Sequence, residues 1–327
     1  MLRRLAAAEE RWPLAGAFVI SRGAKTEARL VVAELSEGQV RGHGECTPYE
    51  RYGETPASVV AEIESVRPQL EAGCGRKELQ ALLGPGAARN ALDCALWDLE
   101  AKQTGVPAWQ AAGRESLHPV KTAYTISLGS PQHMAEAAAR AARRPMLKLK
   151  LGGPEDLQRV RAVRAAAPRT RLIVDANEAW SFDTLQTLAP ELARLDVKLI
   201  EQPLKAGEDA ALEDYDSPIP LCADESLHSR AELAACARRY ACINIKLDKA
   251  GGLTEALALA AESRVLGLGI MVGSMVATSL SMAPALLLAQ GAAFVDLDGP
   301  LLLAQDRRPG LVYVGSMIEP PAPELWG

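Results

Sequence analysis

From about residue 120 the chain repeats a single beat, and that beat limits the folds open to it more than any other feature. Short β-rich runs read at Thr122–Leu128, Met146–Leu151, Arg171–Asn177, Val197–Pro203, Ile219–Asp224, Cys242–Asp248, Ile270–Gly273 and Phe294–Asp298. Between them lie Ala- and Leu-rich stretches of helical period, such as Asp156–Ala166 and Leu253–Leu266, and the apolar Ser279–Ala289 supplies a helix after the seventh run. Strands alternating with helices pair in parallel through right-handed crossovers. Eight runs at roughly 25-residue spacing fit a closed barrel better than an open sheet.

Residues 1–115 lack the beat. Phe18–Ile20, Glu27–Ser36 and Gln39–Glu45 read as an antiparallel meander that turns at Glu37-Gly38. Ala87–Lys102 reads as a helix in which Ala91, Leu92, Ala95, Leu96 and Leu99 form one apolar stripe ending at Gly105. The expected organisation is an α+β domain over 1–115, a barrel over 116–299 and a tail over 300–327. The strand-like Gly310–Val314 of the tail could return to the first domain.

A barrel strand should be apolar on both faces, one turned to the core and one to the helices. These runs break the rule near their C-terminal ends. Lys148 and Lys150 share a face, as do Asp175 and Asn177, then Asn244, Lys246 and Asp248, then Asp296 and Asp298; Glu201 and Asp224 end the two runs between. The intervals are 25 (150 to 175), 26 (175 to 201), 23 (201 to 224) and 22 (224 to 246), so each charge sits at about the same height in successive units. That height is where barrel active sites are built. One such residue alone would read as a solvated rim residue. A row of carboxylates on three consecutive strands, bracketed by lysines, is costly to bury unless the charges cancel.

Asp175, Glu201 and Asp224, with no histidine or cysteine at zinc-like spacing, suit a hard cation, so Mg²⁺ is expected. The cation would grip a substrate carboxylate and stabilise the negative charge that develops when the neighbouring α-proton leaves. A lysine base must be neutral, which from a reference pKa near 10.4 would cost roughly 4.6 kcal/mol at pH 7. Lys148 and the metal both favour loss of the Lys150 proton. Lys246, read as three strands further round the ring, approaches the substrate carbon from the opposite side. One lysine removes the proton and the other returns it to the far face, which inverts a stereocentre.

Composition removes other classes. Net charge is −5 with no basic run, so no nucleic-acid partner is expected. No apolar run reaches the roughly 20 residues that span a bilayer, and the first apolar stretch is too short for a signal peptide. Six cysteines without a CxxC pair read as buried small hydrophobes in a reducing cytoplasm. The subunit number stays open, with a homo-oligomer compatible.

At these residues the chain resembles the enolase superfamily, through Lys148-Leu-Lys150, Asp175-Ala-Asn177, Glu201-Gln-Pro203, Ala223-Asp224-Glu225-Ser226 and Lys246-Leu-Asp-Lys-Ala-Gly-Gly-Leu-Thr-Glu255, together with the helix Ala91–Lys102. The likeness spans essentially the whole chain, shows no departure in the metal or lysine motifs, and points to the muconate-lactonizing-like branch. It implies a (β/α)7β TIM-like barrel under an α+β capping domain that the tail completes. It also implies catalytic Lys150 and Lys246, supporting Lys148 and Asn177, and Mg²⁺ on Asp175, Glu201 and Asp224.

Within that branch Asp296-Leu-Asp298-Gly-Pro resembles the dipeptide epimerases, where the Asp-x-Asp pair holds the substrate's α-ammonium group. Trp12-Pro-Leu, Phe18–Gly23 and Gly44–Glu54 are similar to the bacterial L-Ala-D/L-Glu epimerases of cell-wall peptide recycling. Arg22, in preference to Arg51, would then pair with the substrate's glutamate side chain. A dehydratase, cycloisomerase or o-succinylbenzoate synthase on the same scaffold would need one lysine and no Asp296/Asp298 pair. A Schiff-base aldolase would need no carboxylate triad. A non-catalytic binding barrel would not need two opposed lysines.

Overall fold

The computed structural model describes residues 2–327. Its first layer is an antiparallel sheet of β1 (Arg3–Ile20), β2 (Gly23–Glu37) and β3 (Val40–Cys46), in that order. The two-residue turn is Gly38-Gln39, one residue later than expected, and Gly38 takes φ +64 at its first position, where such hairpins favour glycine. β1 extends far upstream of the expected Phe18–Ile20. Its Ala-rich start has little intrinsic β preference, and pairing holds it in place, from Arg3 opposite Glu37 to Pro13 opposite Glu27, with an irregularity before Phe18.

The helix Ala87–Thr104 lies on this sheet. Ala91, Leu92, Ala95, Leu96 and Leu99 are fully buried, at roughly 1.5–3 kcal/mol for each leucine. Contact is backbone to backbone: a Cβ on Gly44 would stand 2.0 Å from the Ala91 carbonyl oxygen. The helix's other face meets the barrel. Arg89 donates to the carbonyls of Ala250 (2.7 Å) and Gly251 (3.0 Å), and Asp93 accepts from the Thr254 N–H (2.9 Å) in the first turn of the helix Leu253–Val265.

After β4 (Val120–Lys121) come eight parallel strands: β5 (Tyr124–Ile126), β6 (Met146–Lys150), β7 (Arg171–Asp175), β8 (Val197–Glu201), β9 (Leu221–Ala223), β10 (Cys242–Ile245), β11 (Gly269–Gly273) and β12 (Phe294–Asp296). Neighbours pair in sequence order. The Ala123 N–H donating to the Val295 carbonyl at 2.8 Å joins the first strand to the last, so the sheet is a barrel. Six crossovers carry α-helices, while the fourth has only the 3-10 turn Ala210–Asp214.

Two expectations change. The sixth strand stops at Ile245 because Leu247–Ala250 coils into a helical turn, which aims Asp248 at the cap; it accepts there from the Thr47 N–H (3.0 Å) and Asn90 Nδ2 (2.8 Å). Asp248 therefore leaves the row of inward charges. Lys246 is four strands from Lys150 rather than three, since β7, β8 and β9 all intervene, and four steps on an eight-strand ring is diametrically across.

The bore is filled from below by Ala123, Met146, Ile173, Leu199, Cys222, Cys242, Met271 and Phe294, one from each strand or its lead-in. All six cysteines are free, and all but Cys74 are buried. In the tail, β13 (Tyr313–Val314) pairs with β14 (Met317–Ile318), which pairs with β4 and not with the capping sheet. Other tail residues reach the N-terminal segment: the Ala304 N–H donates to the Pro13 carbonyl (2.8 Å), Trp326 Nε1 to the Cys94 carbonyl (3.0 Å) and the Gly327 N–H to Asp98 (2.7 Å). Among the described residues no helix is long and apolar enough to cross a membrane.

Candidate active site

Asp175 and Glu201 face each other across the register of β7 and β8, and Asp224 follows β9, so three carboxylates stand on adjacent strand ends. All are buried. Lysines hold them. Lys148 Nζ lies 2.6 Å from Glu201 Oε2, 2.7 Å from Asp296 Oδ2 and 3.3 Å from Asp175 Oδ2. Lys150 Nζ lies 2.6 Å from the same Asp175 oxygen, and Lys246 Nζ lies 2.7 Å from Asp224 Oδ2.

Burial alone would push every carboxylate pKa up, and the neighbours decide the outcome. For Asp175, Lys150 and Lys148 outweigh burial and bring it down to about 2. For Asp224, Lys246, Lys249 and Lys148 outweigh burial and hold it well below the usual range. Glu201 goes the other way, up to about 7, because burial and the Asp175 charge together exceed the pull of Lys148. Burial favours neutral Lys246, but Asp224 overrides it and raises the pKa. Lys148 is raised well above its ordinary value despite full burial, by Asp296, Glu201 and Asp175.

Among the described residues no three acidic, thiol or imidazole groups stand converged as a finished cation cage. The donor set nevertheless fits a hard cation. It is all oxygen and all carboxylate, and Glu201 Oε2 has only its ion pair with Lys148 Nζ, with no hydrogen bond besides.

Above this layer opens a cavity of about 650 Å³, within the range of small-molecule pockets. Lys150, Asn177, Asp224, Lys246, Asp296, Asp298 and Arg22 line it, while Asp175, Glu201 and Lys148 lie outside its lining. Asn177 donates through its backbone and side-chain N–H groups to Asp175, at 2.9 and 3.2 Å. Asp296 keeps one buried oxygen without a partner. Asp298 accepts the Thr125 N–H at 2.6 Å, and burial with the neighbouring Asp296 charge pushes it up to about 7.

Arg22 sits at the cap side of the cavity. It donates to the Asn177 carbonyl (2.8 Å), Glu178 (3.0 Å), the Tyr49 hydroxyl (2.9 Å) and Glu225 (2.7 Å), using four of its five N–H groups. Arg51 makes a two-point pair with Glu178 and does not reach Glu225.

Several members escape a reading of strands alone. Buried Lys249 lies 2.6 Å from Asp224 Oδ1 and donates to the Asn244 carbonyl at 3.0 Å, from a helical turn that a strand reading points elsewhere. Asn244, which the strand pattern does place on the inward face, donates to Glu201 Oε1 at 2.8 Å. Gln202, at φ +34, accepts from the backbone N–H groups of Asp224 (2.8 Å) and Ser226 (3.1 Å) and so fixes the Asp224 backbone. The Lys-x-x-Lys spacing was the one local signal, Lys246 standing at the start of the helical turn that carries Lys249.

Comparison with known proteins covers nearly the whole chain. Residues 3–113 match the mandelate racemase/muconate lactonizing enzyme N-terminal domain, and residues 133–319 match the enolase C-terminal domain-like model. The chain is 50% identical to the L-Ala-D/L-Glu epimerase of Escherichia coli strain K12 over 95% of this chain and 98% of that one. It is 43% identical to the N-acetyl-D-glutamate racemase of a Pseudoalteromonas species over 91% and 95%. A crystal structure of an Agrobacterium tumefaciens enolase family member with homology to dipeptide epimerases, holding sodium and L-Ala-L-Glu with an ordered loop, superposes with a TM-score of 0.98 at 54% identity, over 99% of this chain and 100% of that one.

Proposed function

The chain belongs to the mandelate racemase/muconate lactonizing enzyme family of the enolase superfamily, and from that membership we propose that it is a dipeptide epimerase acting on L-Ala-D/L-Glu. One observation carries the reading. Lys150 and Lys246 line one cavity from opposite sides of the ring, with Asp224 and the pair Asp296 and Asp298 also in its wall.

In this reading residues 116–299 carry the chemistry, and residues 1–115 with the tail 300–327 form the cap that shapes the pocket. The glutamate α-carbon lies between the lysines. Lys150 takes the α-proton of the L isomer while Lys246 delivers a proton to the opposite face, and the roles exchange in reverse. Asp175, Glu201 and Asp224 would hold Mg²⁺, which when bound supplies positive charge to the substrate carboxylate where negative charge builds. Asp175 and Asp224 are the counterions of the two lysines. With Asp224 engaged elsewhere, the largest offset to the burial of Lys246 is gone, and burial favours the neutral amine that a base needs.

Lys148 keeps Glu201 and Asp296 from repelling each other, and Asn177 orients Asp175. Asp296 and Asp298 accept the substrate's α-ammonium group. Arg22 meets the glutamate side chain, which must displace or share its present partners. The proposed setting is cell-wall peptide recycling in the cytoplasm.

The test is proton NMR of L-Ala-L-Glu with enzyme and Mg²⁺ in D₂O. Loss of the glutamate α-proton signal with appearance of the D isomer is expected. An unsaturated product would instead mark a dehydratase or cycloisomerase, and an inert substrate would sink the proposal. N-acetyl-L-glutamate offers Asp296 and Asp298 no ammonium group, so faster exchange on it than on the dipeptide would replace this substrate class.

A further inference from the structure

The turn between β1 and β2 and the loop after β3 each hold an arginine over the barrel mouth, and both arginines end on one carboxylate. Glu178 Oε2 accepts from Arg22 Nη1 and from Arg51 Nε, each at 3.0 Å. Its Oε1 accepts from Arg51 Nη2 and from the Ala206 N–H, each at 2.9 Å. The Glu178 side chain is 6% exposed, against 26% for Arg22 and 37% for Arg51, so the carboxylate belongs to the barrel rim and the cations come to it.

The backbone beneath is unusual in a telling way. Asn177 and Glu178 are consecutive non-glycine residues in the left-handed region, at φ +44 and +68. Such residues persist where surrounding contacts over-determine them. The same turn presents the Asn177 carbonyl to Arg22 (2.8 Å) and to the Ser21 hydroxyl (3.2 Å). An exposed ion pair alone is weak. This one is a two-point pair, shared by a second arginine and tied to a backbone N–H, and that geometry gives direction as well as attraction.

We propose that Glu178 is a positioning residue that latches two cap loops to the barrel rim and thereby aims Arg22 at the distal carboxylate of the substrate. The latch stands on contacts within the chain, and only its consequence for substrate choice rests on the epimerase reading.

Glu178→Gln and the shorter Glu178→Asp test it in two independent ways, and the second variant serves if the first fails to fold. Trypsin should cut after Arg22 and after Arg51 about tenfold faster in Glu178→Gln, the scale of one charge-assisted hydrogen bond lost. Cutting after exposed Arg194 should be unchanged, and Glu178→Asp should fall between. Equal rates at Arg22 and Arg51 in all three proteins would overturn the latch, whether or not any dipeptide turns over. In kinetics, KM for L-Ala-L-Glu should rise about tenfold with kcat within about twofold, while KM for L-Ala-L-Leu stays constant. A loss shared equally by both dipeptides would overturn the role in specificity. If the unaltered protein exchanges no dipeptide α-proton, the epimerase reading fails and the proteolysis result still decides the latch.

Discussion

Two residues of strand separate the floor of the bore from its charged level: Met146 from Lys148, Ile173 from Asp175, Leu199 from Glu201, Cys222 from Asp224, Cys242 from Asn244 and Phe294 from Asp296. Along a strand that is roughly 7 Å. All these side chains are buried to a similar degree, yet the levels follow opposite rules. The floor is apolar and stabilises by filling space. The upper level concentrates charges whose desolvation their mutual attraction barely offsets, and replacing such clusters with apolar residues is often neutral or stabilising. Stability therefore gives no reason for the upper level to exist, and chemistry does.

Changing one level at a time can break or sharpen that contrast. The largest effect is expected from Lys150→Ala and Lys246→Ala, each lowering epimerisation of the folded protein by about 10³-fold or more. α-Deuterium exchange confined to one isomer in each variant would fit opposed lysines, and full activity in either would end the proposal. Leu199→Ala, in the floor, should do the reverse: about 2–5 kcal/mol less stability in urea titration with kcat of the folded fraction nearly unchanged.

Asp248 offers a third case, a buried carboxylate with neutral donors instead of lysines. Burial, aided by Glu54 and Glu45 and opposed by the Thr47 and Asn90 hydrogen bonds, pushes it up to about 7 from 3.8. The folded state binds this proton more tightly than the unfolded chain, so the contribution is full below pH 3.8 and is lost as pH rises to about 7. At most this is about 4 kcal/mol. Asp248→Asn should flatten that decline in stability-versus-pH curves, and an unaltered slope would remove Asp248 as its source. Smallest is Mg²⁺, which at a hundredfold its Kd should stabilise the parent by about 2.7 kcal/mol. Glu201→Gln should remove that increment, and its persistence would move the ion elsewhere.

The carboxylates and the two lysines just beyond their level were legible because the βα unit imposes its own period, so intervals of 22 to 26 residues align Lys150, Asp175, Glu201, Asp224 and Lys246 without any knowledge of contacts. The helix Ala87–Thr104 was legible from its stripe. Early β1 was not, since alanines gain strand structure only from β2. Asp248 was misread because nothing local announces that the strand ends at Ile245. The Glu178 contacts with Arg22 and Arg51 span more than a hundred residues and leave no mark on local pattern.

The Ala123–Val295 bond that shuts the ring also sets an order on synthesis. Lys148 emerges from the ribosome long before its partner Asp296, and Thr125 before Asp298, the chain separations being 148 and 173 residues. A nascent chain short of β12 has an open edge and a buried ammonium group missing one of its counterions. The last thirty or so residues thus act as the clasp of the enzyme, and a truncated product should be recognisable to proteases as unfinished.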